Sequence, residues 1–162
     1  MGLIINKKIQ MLMKGYPTVS DKYNIAGGTL TGNTPVEFGE LVKFSGTKGY
    51  YKAITDAVTV NDIAGFVVAT NVKLADGFPG TTVKTMPGEA FNLLVNGFIA
   101  IELAASAKEE DIIPNSVVKV TLADGTLTTS SVSDGTATLP SVVFTGTYEK
   151  HGTTLYAEIY VK

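Results

Sequence analysis

The stretch from Phe91 to Leu103 does most to limit what this chain can become. Phe91, Leu93, Val95, Ile99, Ile101 and Leu103 share one parity, and only Gly97 interrupts it. Apolar residues at every second position mark a strand with one buried face. A glycine inside so long a strand predicts a bulge or a bend of the kind that closes a small barrel.

The same alternation recurs on both sides of that stretch. Val36, Phe38, Val42 and Phe44 predict a half-buried strand, and Tyr50 to Ile54 its hairpin partner across Ser45-Gly46-Thr47-Lys48-Gly49. Ala64 to Ala69 is a short continuous apolar run, as in a central strand. Val118, Val120 and Leu122 alternate into Asp124-Gly125, a strong signal for a two-residue hairpin turn, with a weak and polar return over Leu127 to Ser131. Ser141 to Thr147 and Thr154 to Val161 give two more strands, joined through Glu149-Lys150-His151-Gly152. Glu109-Glu110-Asp111 reads as one helical turn before Pro114, and residues 71 to 89 as a long connection. About eight strands with no credible long helix predict an all-β fold, a small antiparallel barrel or sandwich over residues 35–162.

Residues 1–34 differ. Leu3, Ile4, Ile5, Ile9, Met11, Leu12 and Met13 cluster around Lys7, Lys8 and Lys14, and Gly15-Tyr16-Pro17 stops any helix begun there. Asn24 to Pro35 reads as loop, broken by Gly27-Gly28 and Gly32-Asn33. The segment therefore reads as an extended arm with apolar anchors, or equally as an element packed on its own domain. Its apolar residues precede its charges, the reverse of a signal peptide. No apolar stretch approaches the roughly 20 residues of a membrane span. These features predict a protein made soluble in a cytoplasm, with no membrane partner.

The inventory for chemistry is sparse. The chain has no Cys, one His, and 13 basic residues that are all Lys. Without Cys there are no disulfides, thiolate metal sites or Cys nucleophiles. A formal charge of −2 with no Arg gives neither the field nor the bidentate groups that hold phosphates, so no nucleic-acid partner is expected. His151 lies in a predicted turn, and Glu109-Glu110-Asp111 lacks the alternating ligands and glycine of a Ca²⁺ loop. No catalytic residue, cofactor or metal ligand is assigned, and function is expected to lie in surfaces that bind other proteins. Tyr50, Tyr51, Tyr156 and Tyr160 leave a second possibility open. Aromatics on the outer parity of strands can stack on sugars, as in a host-surface-binding module of a head fibre.

Several elements in order resemble the capsid-decoration, or structural cement, proteins of tailed bacteriophages. They are Gly15-Tyr16-Pro17, Pro35-Val36-Glu37-Phe38-Gly39, Ala64-Gly65-Phe66-Val67-Val68, Phe78-Pro79-Gly80, Pro87-Gly88-Glu89 and Asn96-Gly97-Phe98-Ile99-Ala100-Ile101. The resemblance covers roughly residues 15 to 103. It departs at Thr18, where the family often has Gly, and leaves residues 104 to 162 without a counterpart. It implies a β-rich domain on the outside of a head shell, with an arm reaching over neighbours and reinforcing contacts between subunits. The implied partners are the major capsid protein and further copies of the chain, as a homotrimer. The candidate partner-binding residues are Leu3, Ile4, Ile5, Ile9, Met11, Leu12, Tyr16 and Phe78.

Overall fold

A computed structural model describes residues 12–18, 23–69 and 84–162. The candidates Leu3, Ile4, Ile5, Ile9, Met11 and Phe78, and most of the expected 71–89 connection, lie outside the described residues.

Eleven strands occur among the described residues: β1 (Asn24–Thr31), β2 (Val36–Glu37), β3 (Leu41–Phe44), β4 (Tyr50–Ala53), β5 (Ile63–Val68), β6 (Lys84–Thr85), β7 (Ala90–Leu103), β8 (Val117–Thr121), β9 (Leu127–Thr128), β10 (Thr136–His151) and β11 (Thr154–Val161). Single 3-10 turns at Val60–Asp62 and Glu109–Asp111 are the helical elements among those residues, and the second is the turn expected from sequence. The fold is all-β, with a closed five-stranded barrel and further strands. The barrel runs β1-β4-β3-β5-β7 and closes by pairing β7 with β1. Every pairing in it is antiparallel except β1 with β4.

β7 serves two structures in turn. Its first half pairs with β1 and β5, and its second half with β11, which leads to β10, β8 and β9. The switch comes where the sequence is irregular. Asn24 faces Asn96 while Ile25 faces Leu94, so Val95 is the extra residue of a bulge, 52% exposed against the alternation. Two residues on, Gly97 takes φ 134°, in the region that disfavours a side chain.

Two cores follow. Leu30, Val36, Phe38, Val42, Val67, Phe91 and Leu93 fill the barrel. The larger core takes Ile99, Ile101 and Leu103 from β7, the inward faces of β8, β10 and β11, and Leu41, Phe66, Val68 and Leu94 from the outside of the barrel. The second sheet therefore folds back onto the barrel, which is how a barrel and a sandwich coexist here. Its β8–β9 hairpin presses on the barrel side, where a Cβ on Gly125 would come within 2.9 Å of Ile54. Ala104 N–H donates to Leu127 C=O (2.8 Å), so β9 returns to the end of β7.

Three expectations are corrected. Asn24–Thr31 is a barrel strand rather than loop. The space beside Gly28 is filled by another strand: the Tyr51 ring lies where a Cβ on Gly28 would stand, 2.5 Å away, and Tyr51 meets Phe91 edge-on. The expected strand Val36–Phe44 breaks into β2 and β3 at Gly39, φ +82°, and Phe44, past a register shift between Val42 and Lys43, is 57% exposed. The Asp124-Gly125 hairpin has a four-residue loop, 122–125, closed by Thr121 N–H to Thr126 C=O, whereas β10 and β11 turn tightly at Gly152-Thr153.

Candidate interaction surface

The described chain begins with a locked segment, Leu12–Thr18. Gly15 N–H donates to Ala100 C=O (2.8 Å), Ala100 N–H to Tyr16 C=O (3.1 Å), and Thr18 N–H to Phe98 C=O (3.3 Å). Pro17 bridges Ile99 antiparallel, so the segment is a short added edge strand on β7, not the end of a helix. Ala69 N–H donates to Gly15 C=O (2.8 Å), tying in the end of β5. Gly15 is required twice over. It takes φ +79°, and a Cβ there would sit 2.2 Å from that of Phe38.

An ionic cage holds the next residue. Lys14, with its side chain 19% exposed, lies 2.9 Å from Glu37, 3.3 Å from Glu40 and 3.8 Å from Glu102. Burial alone would lower the Lys14 pKa, but the Glu37 hydrogen bond and the surrounding carboxylate charges together hold it above its ordinary value. Burial likewise opposes ionisation of Glu37, yet Lys14 and Lys84 hold its carboxyl below the usual range. Glu40 also accepts from Glu37 N–H (2.9 Å), which shapes the β2–β3 turn.

The chain then crosses the outer face of the second sheet. Register places Glu102, Tyr156 and Glu149 in one row across β7, β11 and β10, opposite in parity to the buried Leu103 and Leu155. Lys14 stands over one end of this row, and at the other Leu12 N–H donates to Glu149 Oε2 (2.9 Å). His151 Nε2 lies 3.1 Å from the same oxygen, and its ring packs on Tyr156. Burial, followed by the Glu102 charge, raises the Tyr156 pKa.

Of the partner-binding candidates within the described residues, Leu12 is buried at 5% exposure and Tyr16 is half-buried. Both hold the base of the arm. His151 meets one carboxylate, and no group of three or more His, Cys, Asp or Glu that could hold a metal occurs among the described residues. Among the tyrosines Tyr50 is exposed, while Tyr160 stacks on Phe98 with centroids 4.6 Å apart and Tyr51 packs on Phe91. Sequence reasoning missed the Lys14 cage, since Glu37, Glu40 and Glu102 show no common spacing. It also missed Glu149, whose partner is a backbone N–H.

The described residues thus form a small closed barrel, a sheet folded onto it and a clamped N-terminal segment. The chain belongs to the phage structural cement protein family (E217 gp24/Pam3 gp6), whose pattern it matches over residues 5–160. That match extends past residue 103, so residues 104 to 160 are part of the family domain. A comparison with curated proteins returns no match. Among solved structures the fold is similar to a chain in the capsid of Myoviridae phage XM1, with TM-score 0.64 and 19% identity over 97% of this chain and 95% of that one.

Proposed function

We propose that the chain is a non-enzymatic component of a phage head that binds the outer surface of the shell and reinforces contacts between capsid subunits. The observation that carries this reading is the clamped root of the arm. Gly15, the Lys14 cage and the Leu12–Glu149 contact hold residues 12–15 in place on the β-domain. Residues 1–11 include Leu3, Ile4, Ile5, Ile9 and Met11. A tether with a rigid base loses less freedom on binding than one with a slack base. Burying its aliphatic side chains stabilises the contact by about 25 cal/mol per Å² removed from water.

In function the chain divides into a partner-binding arm and a β-domain, and the arm proper runs to Met11. The partners are the major capsid protein and further copies of this chain, arranged as a homotrimer at local three-fold positions. Phe78 adds a second contact from its connection. The absence of Arg and the charge of −2 argue against nucleic acid as a partner. The family match and the capsid origin of the similar structure support this reading.

The test is co-sedimentation of the purified protein with heads of the source virus. Saturation at a fixed ratio to the major capsid protein is expected, with attachment lost on deleting residues 1–11 while the circular dichroism of the β-domain persists. Undiminished attachment of the truncated protein would overturn the role of the arm. No association of the full chain would overturn the capsid reading and turn attention to Tyr50.

A further inference from the structure

The larger core is open at one end. There the barrel and the second sheet part around a groove of about 270 Å³, lined by Val60, Ile63, Leu94, Val95, Pro140 and Val161 among others, with no charged residue in its lining. Its features are built in rather than incidental. The bulge at Val95 turns an aliphatic side chain outward at one wall, and Ile25, 43% exposed, stands beside Leu94 in register. On the other wall Ser141 takes φ +61° next to Pro140, a conformation costly for a residue with a side chain, and Lys162 N–H donates to its C=O (2.8 Å). An unfilled apolar mouth of this kind loses the contacts its lining atoms would otherwise make.

We propose that this groove receives Leu3-Ile4-Ile5 from a second copy of the chain. The proposal rests on the arm being a partner-binding element and gives its first apolar residues a seat on a neighbouring subunit. The location of the root selects the neighbour's groove over the chain's own. Leu12 lies on the outer face of the second sheet beside the Glu149–Tyr156 pair, whereas the groove opens on the inner face beyond Val161. A path between them runs about 17 Å along β11 and about 10 Å around to the opposite face. Ile4 is eight residues from Leu12, a reach of at most about 29 Å when fully extended. That leaves no slack for a chain that must also turn, while a second copy meets no such limit. Copies joined arm to groove then hold one another as well as the shell.

The cysteine-free sequence makes the test direct, because introduced thiols have no native competitors. Full-length Ile4→Cys and Val95→Cys proteins are mixed without heads under a mild oxidant, with Ile4→Cys and Lys48→Cys as the control pair. Seating raises the effective concentration of the two thiols, so the first pair should form the mixed dimer at least about tenfold faster than the control. Excess unmodified protein should slow it to the control rate. Equal rates for the two pairs overturn the proposal. A chain carrying both Ile4→Cys and Val95→Cys should link to other chains. Closure within one chain at low concentration would instead overturn the assignment to a second copy. Because heads are absent, failure here is separate from failure of the head-binding assay.

Discussion

The barrel and the second sheet use the same strand in opposite ways. In the barrel β7 is hydrogen-bonded on both sides within a closed ring around a core of seven buried residues among those described. In the second sheet the same strand belongs to a folded-over layer with a seventeen-residue core, and that core opens onto a groove. Closure removes free edges and makes a rigid frame. The second layer stays open, with Leu12–Thr18 seated on β7 and Leu12 reaching its outer face, and the groove at one end of its core. The two halves of one strand thus serve a closed and an open structure, with Val95 and Gly97 marking the border.

The comparison breaks most sharply in the cores. Phe144→Ala, in the larger core, should cost about 3–5 kcal/mol, and Leu30→Ala, in the barrel, about 2–5 kcal/mol. Because β7 runs through both, each variant should melt in one transition by calorimetry. Two separated transitions would show that the halves are independent. Gly15→Ala should come next, since a left-handed Ala costs about 1–2 kcal/mol and overpacking against Phe38 about 1–3 kcal/mol more. Hydrogen exchange should show the loss confined to Leu12–Thr18 and its partners on β7.

Glu37→Gln removes the closest anion from Lys14 and should cost about 1–3 kcal/mol at neutral pH. The folded-state pKa of Glu37 is depressed, so its contribution is fully present above 4.5 and is lost as pH falls through the lower folded value. Melting temperatures of the natural protein and the variant should therefore converge in acid. Lys14, with a raised pKa, contributes fully below 10.5 and loses its share as pH rises above that. The smallest effect is expected for Val95→Ser, within about 0.5 kcal/mol, because the bulge already places that side chain in solvent.

Strands whose alternation is local were legible in the sequence. β4, β5, β7 and β11 appear where the pattern puts them, and Gly97 marks a real change of partner. β1 was not legible, because what fills the space beside Gly28 is Tyr51 from another strand. The break at Gly39 escaped for a similar reason: it is set by Glu40 and by Val67, which accepts from Gly39 N–H at 2.7 Å. In the candidate site the special role of Gly15-Tyr16-Pro17 was readable, as a break in the chain, although not its pairing with β7. The cage was not, since its carboxylates come from β2, the following turn and β7.

The antiparallel seating of residues 15–18 beside β7 also sets how the molecule bears load. Between Lys14 and Leu12 the chain crosses from β7 to β10, so a pull on Leu12 is taken first by the Glu149 contact and the Lys14 cage, and then by the hydrogen bonds at Phe98 and Ala100. The tension then passes into the one strand that threads both halves.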